Sequence, residues 1–98
     1  MTASILHAPR LHRTVLENGL TILVLENPVA DIVSARLFLR AGKAQESSEA
    51  AGLASFLMGL LTKGTQTLSS LEIAEAVESV GASLGTDAAA DYSVISLK

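Results

Sequence analysis

Few side chains in this sequence are of a type that does chemistry, and their spacing decides what they can do. The two histidines, His7 and His12, both lie near the start. Two imidazoles with no third ligand close by in sequence make a weak metal site, and a polar lead-in accounts for them. Glu72, Glu75 and Glu78 recur at helical spacing. Paired carboxylates can do acid–base work, but three on the polar side of an amphipathic helix read as a solvated face. Gly42-Lys43 lacks the preceding glycine and following hydroxyl of a phosphate loop. Gly81 and Gly85 flank a strand start and read as turn geometry. There is no cysteine, which removes disulfides, thiolate metal sites and cysteine nucleophiles together. Nucleophilic catalysis needs a nucleophile, a base and an orienter, and no such set is visible.

One stretch holds chemistry by position rather than by residue type. Ala51 to Thr65 reads A-G-L-A-S-F-L-M-G-L-L-T-K-G-T. At about 100° per residue, Leu53, Phe56, Leu57, Leu60 and Leu61 fall on one broad side of a helix. The opposite stripe is Ala51, Ser55, Met58, Gly59 and Thr62. Two histidines at positions such as 55 and 59 would form two metal ligands on one face, and an acid beside the second would activate water. Here those places hold serine and glycine, with Met58 alongside. A stripe of small residues also lets another backbone pack closely.

The elements that must position this helix follow from local signals. Residues 1–12 read as an irregular lead-in. Asn18-Gly19 stands between two apolar runs and predicts a hairpin with positive φ at both turn residues. A third strand, I-V-S-A-R-L-F-L-R, alternates Val33, Ala35, Leu37 and Leu39 with Ser34, Arg36, Phe38 and Arg40. A polar loop over 41–48 leads to a helix from Glu49 to Lys63, with Ser48 as N-cap and Gly64 as the closing glycine. Ser69 and Glu72 form a capping box for a second helix from Ser70 to Val80, which Gly81 ends. Its Ile73, Ala74, Val77 and Val80 form one apolar face. Two further strands lie near Ala82–Thr86 and Asp91–Leu97. The order β-β-β-α-α-β-β predicts an α+β fold, a mostly antiparallel sheet with two helices on one face. The last strand reaches Lys98 with no closing element, so a fragment of something larger is expected.

Composition narrows the function class. The 98 residues are enough for one small domain, and 49% are hydrophobic against 17% charged, which argues against disorder. No apolar run is long enough for a membrane span. A net charge of −3 and three aromatics, Phe38, Phe56 and Tyr92, do not make a nucleic-acid surface. The first sixteen residues hold Arg10 and Arg13 and no acid, as mitochondrial transit segments do, but strand-like sequence begins near residue 13. The lead-in also lacks the apolar core of a secretory signal. A cytoplasmic location is expected, with mitochondrial matrix and periplasm as alternatives.

Four blocks, in order, carry a family resemblance: L-E-N-G-L-T-I-L-V-L-E-N-P, V-S-A-R-L-F-L-R-A-G, G-L-A-S-F-L-M-G-L-L-T-K-G-T and L-S-S-L-E-I-A-E-A-V-E-S-V-G-A-S-L. From about Arg13 onward the chain resembles the N-terminal part of the pitrilysin/insulinase family of zinc metallopeptidases, which includes the mitochondrial processing peptidases. Residues 1–98 would then form roughly half of one pitrilysin-type domain. Members that cleave peptides carry an inverted zinc motif, His-x-x-Glu-His, on the first helix. Its positions fall on Ser55, Met58 and Gly59, so no catalytic residue, metal ligand or cofactor is expected here. The family's remaining ligand, a glutamate, lies further downstream.

The resemblance implies a non-catalytic homologue, the inactive half or subunit that pairs with a zinc-bearing homologous partner and helps form a peptide-binding chamber. It also implies that the strand after the second helix, Ser83, Leu84, Gly85 and Thr86, pairs with peptide substrate through its main chain. The family's usual Asn-Ala is Gly-Thr at residues 85–86. A purely structural scaffold subunit and a self-associating fragment are the alternatives. As an isolated chain a homo-oligomer is expected, with the strand near Ala82–Thr86 or Tyr92–Leu97 pairing with another copy.

Overall fold

A computed structural model describes residues 9–98. The elements are β1 (Arg10–Val15), β2 (Thr21–Glu26), β3 (Ala35–Leu39), α1 (Leu53–Leu60), α2 (Ser70–Glu78), β4 (Leu84–Ala88) and β5 (Ser93–Leu97). Two short 3-10 turns, Lys43–Gln45 and Ser48–Ala50, precede α1. The fold is α+β with antiparallel sheets, in the order the sequence predicts. The strands form two sheets, not one: β1-β2 pair alone, and the second sheet runs β3-β5-β4. The chain divides accordingly into two compact units, one ending at Asp31 and one spanning Ile32–Lys98.

The hairpin pairs Val15 with Thr21 and Arg10 with Glu26. Strand β1 thus starts at Arg10, inside the expected lead-in, and His12 is a strand residue 3.3 Å from the Glu26 carboxylate. His7 lies outside the described residues. The turn also departs from expectation. Gly19 has φ of 85°, but Asn18 is not at positive φ. The Gly19 N–H donates to the Leu16 carbonyl at 2.9 Å, and the Leu16 N–H donates to Leu20 at 2.8 Å. This is a three-residue loop whose last residue is left-handed, with the Asn18 side chain accepting from the Leu20 N–H.

In the second unit, β5 is the central strand. It pairs on one side with β3, Leu37 opposite Ile95, and on the other with β4, Thr86 opposite Ile95. Both edges of β5 are therefore filled. The expectation that Tyr92–Leu97 offers an open edge is overturned, and the open edges belong to β3 and β4. One sheet face holds Leu37, Leu39, Leu84, Thr86, Ala88, Ser93 and Ile95. The other holds Phe38, whose ring centroid lies 5.6 Å from that of Tyr92. Residues 41–44 lock onto the β4–β5 turn: the Lys43 and Ala44 N–H groups donate to the Ala89 and Ala90 carbonyls. A Cβ at Gly42 would stand 2.7 Å from both the Ala89 oxygen and the Tyr92 nitrogen, so only glycine permits this approach.

Helix α1 begins later than the sequence predicts. Gly52, at φ of 91°, is its N-cap, and Ser47, not Ser48, caps only the short turn before it. The reason is Glu46. Its carboxylate accepts from the Gly52 N–H at 2.7 Å and the Ala54 N–H at 3.0 Å. That satisfies donors that the first turn of a helix leaves unpaired and places negative charge at the positive end of the helix. Gly64 does not close the helix, which ends at Leu60; it bridges to Ser69 instead. Helix α2 keeps its predicted capping box, with the Ser69 N–H donating to Glu72 at 2.7 Å and the Glu72 N–H to Ser69 Oγ at 3.2 Å.

Candidate functional site

Strand β4 follows α2 by a short turn through Gly81 and returns beneath α1. Its alternation puts Leu84, Thr86 and Ala88 on the helix-bearing face. The Thr86 hydroxyl donates to the Met58 carbonyl at 2.7 Å. Ala88 and Met58 are the buried apolar residues among those described, at 5% and 3% exposure, and Ser93 beside them is buried as well. The Ser93 hydroxyl donates to the Ala41 carbonyl at 2.6 Å. A small core therefore joins the last turn of α1 to β4 and β5. The candidate motif helix and the candidate substrate strand are in direct contact.

The three motif positions have different surroundings. Met58 points into the core. Ser55 and Gly59 are exposed, and a Cβ built on Gly59 meets nothing within 4 Å. At Ser55 and Gly59 the stripe is thus open, not a bed for another backbone of this chain, while Met58 in the same stripe is buried. The broad apolar side is reversed too: Leu53, Phe56, Leu57 and Leu60 are 58%, 67%, 53% and 46% exposed. Helical periodicity identifies two sides but not which one faces inward, and the β4 contact selects the Met58 side.

Strand β4 is an edge whose outward groups can be named. Ser83 and Lys98 exchange two hydrogen bonds, at 2.8 and 3.0 Å. In an antiparallel ladder such pairs alternate, so Gly85 and Asp87 also bond inward to β5. The main-chain groups of Leu84, Thr86 and Ala88 point to the open edge. The Ala88 N–H is taken by the Asp87 carboxylate at 2.9 Å. Leu84 and Thr86 are left with their N–H and C=O groups on the open side.

Residues 21–97 match the family model described as insulinase, peptidase family M16. The chain belongs to the insulinase family of peptidases. A Rickettsia felis protein described as an uncharacterised zinc protease is 38% identical over 66 residues, which cover 67% of this chain and 16% of that protein. A Mycobacterium tuberculosis protein with the same description is 35% identical over 85 residues, 87% of this chain and 19% of its own length. A probable mitochondrial-processing peptidase subunit beta from Arabidopsis thaliana is 34% identical over 80 residues, 82% of this chain and 15% of that protein. The chain thus spans less than a fifth of the length of these insulinase-family relatives.

Zinc, the metal of those named proteases, can be tested against the residues present. Ser55 offers a neutral hydroxyl, a poor zinc donor beside imidazole, thiolate or carboxylate. Met58 offers a thioether that is turned into the core, and Gly59 offers no side chain. Among the described residues no group of three His, Cys, Asp or Glu side chains is gathered to hold a metal. These residues do not fit a zinc ion. No helix among them is long and apolar enough to cross a membrane.

Sequence reasoning named Thr86 only as part of the substrate strand and missed its link to α1, and it missed Glu46 altogether. Thr86 reaches a carbonyl 28 residues away, which no local spacing signals. Glu46 caps α1 from six and eight residues upstream, outside the three-residue offset of a capping box; its position before the glycine-led helix is the only trace.

Proposed function

We propose that this chain is a non-catalytic insulinase-family segment whose role is to hold extended peptide and to pair with a zinc-bearing homologue that carries the chemistry. The observation that carries this reading is the donor set on α1: Ser55, Met58 and Gly59 supply neither two ligands nor a base. The open edge of β4 supports the peptide-holding part, because Leu84 and Thr86 present the main-chain groups that an added strand needs. Contact between β4 and α1 through Thr86 keeps that edge in a fixed position. The reverse arrangement, a catalytic chain, would need a nucleophile-activating group that this helix does not carry.

Metal analysis after dialysis, with any tag removed, tests the first half. No stoichiometric zinc and no chelator-sensitive cleavage of an unstructured peptide are expected. One tightly held zinc per chain, or such cleavage, overturns the reading. The triple change Ser55→His, Met58→Glu and Gly59→His restores only two imidazole ligands, one short of a catalytic set, and should leave the chain inactive. For the second half, affinity capture from the source cells should recover a homologue bearing His-x-x-Glu-His. Recovery of a membrane-complex subunit in its place would favour a scaffold role.

A further inference from the structure

The β1-β2 hairpin holds an Asn-Gly step that the candidate site does not use. Asn18 and Gly19 are exposed in the turn between the two strands. The main-chain nitrogen after an asparagine can attack the side-chain amide carbon and close a succinimide ring, and a following glycine, with no Cβ, leaves that nitrogen least hindered. In the folded turn both reacting groups are engaged. The Gly19 N–H donates to the Leu16 carbonyl at 2.9 Å, and Asn18 Oδ1 accepts from the Leu20 N–H at 3.0 Å. Among the described residues β1 and β2 pair only with each other, and a two-stranded ribbon is marginally stable. Local opening that frees both groups is therefore accessible. The chain's other asparagine is an internal control. Asn27 makes the same kind of bond, its Oδ1 accepting from the Val29 N–H at 3.2 Å, but the next residue is Pro28, whose nitrogen has no proton to lose.

We propose that Asn18 is a site of spontaneous covalent modification, converting to aspartate and isoaspartate at a rate set by opening of the β1-β2 turn. The Gly19 nitrogen gives its proton to a solvent base and bonds to the Asn18 Cγ. The Cγ–Nδ2 bond breaks, and Nδ2 takes up a proton and leaves as ammonia. Water then opens the succinimide. Cleavage between Cγ and the Gly19 nitrogen gives aspartate; cleavage between the main-chain carbonyl carbon and that nitrogen leaves Gly19 joined through Cγ, as isoaspartate. One water enters, one ammonia leaves, and nothing is oxidised or reduced. The two products act differently on the hairpin. Aspartate keeps an acceptor for the Leu20 N–H. Isoaspartate adds a carbon to the main chain between Leu16 and Leu20, whose N–H···O bond of 2.8 Å closes the turn. Turn geometry fixes hairpin register, and the ladder begins immediately beyond, with Val15 opposite Thr21. The isoaspartate form therefore loses the β1-β2 pairing.

The test incubates the full chain in mildly alkaline buffer, digests timed samples with trypsin and locates amide-to-acid conversion by fragment mass spectrometry. One tryptic peptide, Thr14 to Arg36, holds both asparagines. Conversion should occur at Asn18 and not at Asn27, and an isoaspartyl methyltransferase should methylate part of the product. The same peptide made synthetically has no fold to open, so its Asn18 should convert about tenfold faster than in the folded chain. Urea should raise the rate in the chain toward that of the peptide. Equal rates in chain and peptide, equal conversion of Asn27, or an Asn18 that stays intact in the chain long after the peptide is consumed each overturn the proposal. The modified chain, separated by its added negative charge, gives the second readout. Its isoaspartate form should lose hydrogen-exchange protection in β1 and β2 and keep it in β3 and β5, whereas the Asn18→Asp variant keeps both. An isoaspartate form as protected as the unmodified chain overturns the effect on the hairpin.

Discussion

The Thr86 hydroxyl donates a 2.7 Å hydrogen bond to the Met58 carbonyl, tying an edge strand to the last turns of a helix. The final carbonyls of a helix have no partner within it. The competing donor to this oxygen, the Leu61 N–H, is 3.4 Å away. Thr86 thus serves α1 as a cap supplied from β4, at a residue that also presents main-chain groups to the open edge. Thr86→Val keeps the shape and the β-branching but removes the donor. It should lower stability by about 1 kcal/mol, while Thr86→Ser retains most of it. Urea unfolding followed by far-UV circular dichroism distinguishes them; equal midpoints for valine and wild type would show that the bond contributes nothing.

Glu46 acts at the other end of the same helix. Its two oxygens accept from Gly52 and Ala54, combining a cap with favourable charge at the helix start. Glu46→Ala should cost about 1–2 kcal/mol, the range of a lost N-cap with its dipole interaction. Glu46→Gln keeps one acceptor and should fall between. Hydrogen exchange should accelerate first at Gly52 and Ala54. Unchanged exchange at those two amides would remove Glu46 from the account of why α1 starts where it does.

The motif positions give opposite responses to substitution. Gly59 sits in the helix with open space where a Cβ would stand, so Gly59→Ala should stabilise by about 0.5–1 kcal/mol. Ser55→His projects into solvent and should be nearly neutral. Met58 is 3% exposed, and Met58→Glu places an unpaired carboxylate in the core; it should destabilise by more than about 2 kcal/mol. The cost of rebuilding the family motif is therefore concentrated at the middle position. Thermal melts of the three single variants check this ordering. A Met58→Glu variant as stable as wild type would mean that this side chain can leave the core freely.

What the sequence made legible was local. The capping box of Ser69 and Glu72, the turn at Asn18-Gly19 and the alternation of β3 each lie within a few residues, and each element formed. The start of α1 was not legible, because the Ala-rich run 49–52 is compatible with helix, and the carboxylate that ends the ambiguity comes from Glu46. The inward side of α1 was not legible either. Leu-rich and small-residue sides are both consistent with helical periodicity, and only β4, through Ala88 and Thr86, selects Met58. The separate β1-β2 sheet and the central place of β5 are matters of long-range pairing, which composition does not encode. The motif positions 55, 58 and 59 were legible through family resemblance alone, and the structure adds that Met58 packs against the strand that offers its edge while Ser55 and Gly59 stay exposed.

Association of this chain with itself follows from the same exposure. Phe56, Leu53 and Leu57 are each more than half exposed, and they lie on one side of α1. A contiguous apolar patch of this kind marks an association site, and the β4 edge offers unpaired main-chain groups nearby in the same unit. Light scattering at micromolar concentration should therefore show species larger than a monomer. The two routes respond to different changes. Phe56→Glu charges the helix patch and leaves β4 intact. Leu84→Lys places a charge on the edge strand, a common natural guard against strand pairing. Loss of association in the first variant alone assigns it to the helix face, and loss in the second alone assigns it to the edge. If the edge is responsible, an extended peptide that pairs with β4 should dissociate the assembly, since both would compete for the main-chain groups of Leu84 and Thr86. A wild-type chain that stays strictly monomeric and melts cooperatively would show that these exposed leucines and Phe56 need no cover, and the prediction would fail.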